Sequence, residues 1–417
     1  MDAVDQPLDQ LREAAPSTSV QLPGAASAAP AQSPPTRRPR YRWARDPYPR
    51  LTDWSLALAV GLASVTGLVS LVSGRPGDWL IFALHGAVGL WILLLLWGKL
   101  WRTLPRLWRP RLCDRRTLIG ALATLIVFLA CGTGVWWVFG GADIGFIFNL
   151  LGWHIVLGVG LTLLVAAHLL ARLRPLRARD ALGRRQALRF GALLAGGLAL
   201  WPAQQLANRV LALRGATRRY TGSYEANSYQ GNIFPYTSWV ADQPRPIVAT
   251  GWRLTVGGAV VHPFTLTYAD LLAFAAHTNA ALADGNTPLP DQFDHLDAIL
   301  DCTGGFYSAQ HWSGAQVGRL LAQAAPHADV TYIRFTSVTG YRWSLPLAEA
   351  RAALLASHVG GEALSDTHGF PVRLVAPGRR GFEWVKWVTR VEALTQPDLG
   401  EVVAINTSWL TPAGQGK

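Results

Sequence analysis

The chain has 417 residues, of which 50% are hydrophobic and only 15% charged, with a net charge of +12. Ordinary soluble domains carry about 25% charged residues, so this composition excludes a conventional soluble protein. The basic residues cluster beside apolar segments, the pattern of basic cytoplasmic loops in a membrane protein, which argues against nucleic acid as a partner.

Residues 1–48 are rich in Ala, Pro, Ser and Gln and close on the basic run RRPRYRWARDPYPR. Such a segment cannot bury a core, so a disordered cytoplasmic tail without a cleavable signal peptide is expected. Apolar segments follow near 52–73, 79–101, 117–139 and 146–171. Each is long enough to cross about 30 Å of hydrocarbon as a helix. Residues 49–175 therefore read as a four-helix membrane domain. A basic loop and a shorter fifth apolar segment, near 190–206, fill 176–209.

The loops orient these helices. The stretches 37–50, 102–116 and 172–189 are strongly basic, whereas 74–78 and 140–145 are short and nearly uncharged. The positive-inside rule places the basic stretches in the cytoplasm. Five crossings then leave residues 210–417 on the periplasmic or extracellular side of the cell membrane. That region has short alternating segments with many Gly and Pro, and reads as an α+β, mainly β, domain.

Three histidines lie inside the apolar segments: His85, His154 and His168. An ionisable residue within a membrane helix is a functional candidate, although a hydrogen bond to a neighbouring helix also accounts for any single one. The second and fourth segments both enter from the outer side, so His85 and His154 lie at similar depth, roughly two turns in. Two imidazoles at one level can hold one haem iron. Gly67, Gly132 and Gly134 fall at the same level and leave room for a porphyrin. His168 follows His154 by fourteen residues, on nearly the same helix face and about 21 Å deeper. That spacing resembles di-haem cytochrome b membrane domains. The matching inner position on the second helix holds Gly98 and Lys99 rather than histidine. One haem b, ligated by His85 and His154, is expected. For His168 the alternatives are a second haem, a quinone or a propionate contact, or no special role.

The fifth segment opens with Arg184 and Arg185 before a modest apolar run. This resembles an internal twin-arginine export signal; the pair equally serves the positive-inside rule.

Cys302, in AILDCTGGFYSAQHWSG, is the only cysteine after Cys131. It is either a small core hydrophobe or a thiolate with a task. Two blocks favour the second reading. LDCTGGFYSAQHWSGAQVGRLL and GFPVRLVAPGRRGFEWVKWV resemble, in order, two signature blocks of the sulfite oxidase family of molybdopterin oxidoreductases. GNIFPYTSW and GWRLTVGGAVVHPFTLTYADLL resemble its opening segments, so the likeness covers roughly 220–397. Within the family, the blocks look most like the periplasmic methionine-sulfoxide reductase catalytic subunit.

The resemblance implies a sulfite oxidase-like fold that binds Mo-molybdopterin. It makes Cys302 the molybdenum ligand and catalytic residue, a soft thiolate for a soft site. It assigns Arg379, Arg380 and Lys386 to the pterin phosphate, and Asn232, Thr303 and His311 to cofactor contacts. Sulfite oxidases place an arginine soon after the cysteine, whereas Thr303, Gly304, Gly305 and Phe306 stand here. That departure disfavours sulfite, and Arg342 is the alternative cation. The family's extra C-terminal dimerisation domain has no counterpart after residue 397, so a monomeric catalytic domain is expected.

The whole chain reads as a membrane-anchored molybdenum oxidoreductase. It exchanges electrons with a quinone or quinol through haem b and reduces a small S- or N-oxide. The alternatives are an outward-facing dehydrogenase that feeds quinone, and a non-catalytic sensory or binding module with the same fold.

Overall fold

The computed structural model describes residues 49–107, 115–141, 149–172, 183–237, 242–277 and 290–410. The tail expected over 1–48 lies outside them, as do parts of the basic loops.

Five long helices come first: α1 Pro49–Val72, α2 Trp79–Leu107, α3 Arg115–Val138, α4 Leu150–Arg172 and α5 Arg184–Val210. Four of them, α1 to α4, are long and apolar enough to cross a membrane. They are apolar on every face, which marks helices that meet apolar surroundings outward as well as inward. Inside, Leu56, Ala59, Val60, Val88, Trp91, Ile92, Leu95, Val127 and Leu161 form one core. Outside, Leu58, Val65, Leu122, Leu129, Val159 and Leu163 are exposed.

The fifth segment differs from α1 to α4. Gln204, Gln205, Asn208 and Arg209 lie in its last two turns, and it is not among the helices apolar enough to cross. It is nevertheless one continuous helix laid antiparallel along α2. Gly197 meets Trp91 and Ala87, and Trp201 meets Gly86.

The remainder is a mixed α/β domain with two sheets. The first joins β1 (Tyr224–Glu225), β4 (Asp294–Asp301), β5 (Phe306–Gln316), β8 (Leu354–Val359), β9 (Glu362–Ala363) and β10 (Arg373–Val375). The second runs β3 (Phe264–Thr267), β2 (Arg253–Gly258), β11 (Val388–Leu394), β6 (Tyr332–Ser337) and β7 (Arg342–Pro346). β1 is parallel to β5 and β2 to β11, and the other pairings are antiparallel. One apolar core includes Trp312, Trp384, Phe335, Leu254, Leu355 and Leu374, from both sheets. Helices α6 (Tyr268–Ala275), α7 (Val317–Ala324), α8 (Leu347–Ala352) and α9 (Glu401–Thr407) fill the connections.

The domain is fastened to one end of the helices. The Tyr220 hydroxyl donates to Gly74 O, and Arg75 pairs with Glu349. Trp137 Nε1 donates to Gly222 O at 2.8 Å. The anchored ends are the C-terminal ends of α1 and α3.

Candidate active site and histidine pair

Cys302 stands where β4 turns into β5. Its N–H donates to Phe306 O at 2.8 Å, and Gly305 N–H donates back to Cys302 O at 3.0 Å. The turn needs Gly305, whose φ is +93°. A Cβ there would also lie 2.5 Å from the Trp137 ring. The thiol is buried, with Gly304 N–H donating to Sγ at 3.3 Å and Thr237 Oγ1 at 3.4 Å. Burial pushes the thiol pKa up; the Thr237 hydroxyl, the Gly304 N–H and the Arg380 guanidinium act the other way and favour a thiolate.

An ionic clamp fixes this turn from beneath. Arg380 Nη1 pairs with Asp301 Oδ1 at 2.7 Å, and its Nη2 donates to Cys302 O at 3.3 Å. Asp301 also takes Ser223 Oγ at 2.7 Å, Thr221 Oγ1 at 2.8 Å and Arg219 Nε at 3.2 Å. Arg379 is paired as well, to Glu349 at 2.7 Å and Glu383 at 3.1 Å. Both arginines assigned from sequence to a phosphate are thus already neutralised by carboxylates. Arg380 holds the cysteine turn, and Arg379 bridges Glu349 and Glu383.

The uncompensated charge lies elsewhere. Arg373 on β10 is 3% exposed, lies over the rings of Trp312 at 5.1 Å and Trp384 at 5.7 Å, and makes no ion pair among the described residues. Its Nη1 donates to His368 O at 3.2 Å, and its Nε has no partner. Burial drags its pKa down to about 9. Lys386 is its neighbour: a Cβ at Gly369 would lie 3.1 Å from the Cβ of each. Lys386 Nζ donates to Thr367 O at 3.0 Å and Thr237 O at 3.1 Å, and burial and Arg373 pull its pKa down to about 8. Cys302 lies within electrostatic reach of both cations. His368 Nε2–H donates to Phe234 O at 2.9 Å and Nδ1 accepts from Ser365 Oγ at 2.7 Å. Burial and Arg373 hold it neutral, with a pKa down to about 4.

A buried guanidinium with an unsatisfied N–H and no carboxylate is unfavourable unless an anion joins it. One soft thiolate beside Arg373 and Lys386, the latter also within reach of the Asp242 carboxylate, is the donor set for a molybdenum dithiolene whose pterin carries a phosphate. The residues fit that group.

Thr303 follows Cys302 in the turn, half-buried. Asn232 is turned to the β8–β9 hairpin, where Nδ2 donates to Ala363 O at 2.8 Å and Oδ1 accepts from Ser365 N at 2.9 Å. His311 lies further along β5, exposed, paired with Asp297 at 2.6 Å and stacked on Tyr229. Arg342 is held by Asp398 at 2.6 Å. Arg373, His368 and Thr237 were not singled out from sequence. The signal for Arg373 was an arginine inside the apolar run FPVRLVAP, a residue type seldom buried without a partner.

Among the helices, His85 on α2 and His154 on α4 face each other, ring centroids 5.9 Å apart and planes at 89°. His85 Nδ1 bonds Ala63 O at 3.0 Å, and His154 Nδ1 bonds Ala130 O at 2.8 Å. Each carbonyl takes the Nδ1 proton, which leaves Nε2 as the free, metal-binding nitrogen. One ion held by both rings at about 2 Å would set the centroids roughly 6 Å apart. Such a pair could hold one metal centre between α2 and α4. Gly67 and Gly134 serve differently from the sequence expectation: they admit the imidazoles themselves. A Cβ would lie 3.2 Å from His85 at the first and 2.9 Å from His154 at the second. Gly132 has nothing within 4 Å of such a Cβ. His168 lies one α4 half further on, and Lys99, at the inner partner position, pairs with Asp53 at 3.3 Å.

Residues 241–402 match the family described as oxidoreductase molybdopterin binding domain. The mitochondrial sulfite oxidase of Homo sapiens is 37% identical over 111 residues, 24% of this chain and 20% of its own length. The NADPH nitrate reductase of Beauveria bassiana is 26% identical over 159 residues, 35% of this chain and 18% of its own. The uncharacterized oxidoreductase YuiH of Bacillus subtilis (strain 168) is 27% identical over 145 residues, 34% of this chain and 65% of its own. The chain thus spans about a fifth of the length of the first two relatives. The thiol-and-cation site lies in a region that matches a molybdopterin-binding oxidoreductase domain. That region is similar to parts of sulfite oxidases and nitrate reductases.

Proposed function

We propose that the chain is a membrane-anchored molybdenum oxidoreductase whose helices bind one haem b, and that it reduces a small S- or N-oxide with electrons from quinol. The observation that carries this reading is the position of the histidine pair. His154 follows Asn149 by five residues, about 8 Å along the axis, and Asn149 precedes α4 and donates to Gly304 O in the Cys302 turn. Such proximity suits two redox sites that exchange electrons.

Molybdopterin supplies two-electron oxygen-atom transfer, and haem supplies one-electron relay between it and quinol. The overall reaction is quinol plus oxide giving quinone, the deoxygenated product and water, which balances two electrons and two protons. In this reading Cys302 holds the metal, Arg373 and Lys386 hold the phosphate, and the Asp301–Arg380 clamp fixes the thiolate. A neutral oxide is favoured over sulfite because Arg379 and Arg380 are already paired with carboxylates and Arg373 is assigned to the phosphate. The likeness to methionine-sulfoxide reductase catalytic subunits agrees with that choice.

Orientation follows from charge. The C-terminal domain is fastened to the helix ends opposite the basic stretches, so the positive-inside rule puts it outside the cell membrane. In this reading α5 completes a fifth crossing along α2, and Arg184 and Arg185 open it on the cytoplasmic side.

Metal analysis and a pyridine-haemochrome spectrum of the purified protein test the cofactors. Pre-reduced haem should then be reoxidised by methionine sulfoxide, dimethyl sulfoxide or trimethylamine N-oxide. Haem reduction by a small reductant such as sulfite would establish the opposite, dehydrogenase direction. Absence of either cofactor would refute the reading.

A further inference from the structure

Asn149 makes two bonds with opposite ends of one side chain. Its Oδ1 accepts from Gly152 N–H at 2.7 Å, which caps the first turn of α4. That bond fixes the amide orientation, so Nδ2 points the other way and donates to Gly304 O at 2.5 Å. Gly304 is the residue whose N–H donates to Cys302 Sγ. One side chain therefore joins the helix of His154 to the peptide unit beside the thiol. A second contact runs in parallel from α3. Gly134 lies against the His154 ring, and Trp137, three residues on, packs against Gly305 and donates to Gly222 O. Tyr224 OH returns a bond to Trp137 O.

The cap alone does not account for this arrangement. An aspartate would cap α4 equally well without a donor for Gly304, and a serine hydroxyl ends one bond short of the Asn149 Nδ2 position. The buried half of Asn149 serves the contact between the two units.

We propose that Asn149 is a positioning residue that couples the two redox sites: its amide fixes the Cys302 turn against the His154 helix, and electrons exchanged between haem and molybdenum pass across the Asn149–Gly304 contact. This rests on the molybdenum-and-haem reading above. Each oxide reduced needs two such one-electron crossings, matched by the two electrons of one quinol.

Asn149→Asp keeps the cap and removes the donor; Asn149→Ser keeps the cap and withdraws the donor by one bond from Gly304 O. In the full-length protein, both should retain wild-type haem spectra and molybdenum content. Both should also retain oxide reduction driven by reduced viologen, which delivers electrons to molybdenum directly. Haem reoxidation by methionine sulfoxide, followed by stopped-flow absorbance, should slow about tenfold or more, since displacement by about 1 Å can cost 10²-fold at a positioned site. In cofactor-free protein, amide exchange across 302–306 should quicken. The proposal fails if haem reoxidation and amide exchange are both unchanged in both variants. It also fails if viologen-driven turnover falls in step with haem reoxidation, because the residue would then support only the molybdenum fold. Absence of haem or molybdenum from the unmodified protein would instead overturn the functional reading, and this proposal with it.

Discussion

The imidazoles of His85 and His154 lie 5.9 Å apart at right angles, each with its Nδ1 tied to a backbone carbonyl of a neighbouring helix. The carbonyls of Ala63 and Ala130 set both tautomers before any metal arrives. Gly67 and Gly134 let the rings lie flat against α1 and α3. Four helices thus contribute to one pair of ligands. His85→Ala and His154→Ala should each abolish low-spin haem b, whereas His168→Ala should largely keep it. Gly134→Val should also lose haem, because its side chain would displace the His154 ring. Optical spectra of purified variants check all four, and haem loss confined to His168→Ala would reverse the assignment.

Cys302→Ser replaces a soft thiolate with a hard, poorly ionised hydroxyl in nearly the same volume. Turnover should fall by orders of magnitude and the molybdenum(V) paramagnetic signal should change or vanish. Pterin content should persist, because its phosphate is held by other residues, and the haem spectrum should be unaltered. Full oxide reduction by this variant would remove Cys302 from the metal.

Arg373 and Arg379 separate two readings of the same loop. Arg373→Met and Lys386→Met should each lose bound pterin, while Arg379→Met should retain it and weaken only the contacts to Glu349 and Glu383. Cofactor content by fluorescence of the oxidised pterin measures this. The reverse ranking would restore the sequence expectation for Arg379.

The same cations set a pH dependence. Lys386 falls from the ordinary lysine value of 10.5 to about 8 in the folded protein. Between these values the unfolded chain binds more protons. The burial penalty is therefore full below about pH 8 and fades as pH rises to 10.5. Cofactor-free protein should gain stability from this group across that window. Anion binding needs the charged ammonium, so pterin binding should take up a proton above about pH 8 and weaken as pH rises. Calorimetry in buffers of different ionisation enthalpy reads the proton uptake directly; a pH-independent affinity from 7 to 10 would exclude Lys386 as the phosphate partner.

Much of this was legible in the sequence because it depends on local pattern. Uniformly apolar stretches gave α1 to α4, equal depth gave the histidine pair, and the apolar run before Cys302 gave β4. The arginines were not legible, because charge in a sequence does not reveal its partner. Glu349 and Asp301, 30 and 79 residues before the arginines they neutralise, are brought in by the tertiary fold. Arg373 was hidden for the converse reason: its role comes from two tryptophans and a missing carboxylate, which only packing reveals. Asn149 carried no signal, since its partner is 155 residues away.

Asp301 and Arg380 are 2% and 3% exposed, so their pairing lies inside the domain. Asp301 is the sole carboxylate bonded to Arg380 side-chain nitrogens among the described residues, and it also receives Arg219, Ser223 and Thr221. Removing one partner of such a pair leaves a buried charge and costs about 3–5 kcal/mol, whereas replacing both by apolar groups is often near neutral. Asp301→Leu should therefore lower the Tm of the cofactor-free protein strongly, and Asp301→Leu with Arg380→Met should recover much of the loss. Stability and function should then part. The double variant still lacks the Arg380 bond to Cys302 O, so the turn is no longer fixed from beneath. Its molybdenum content and turnover should stay low while its Tm recovers. Recovery of both together would reduce the clamp to a packing element with no part in holding the thiolate.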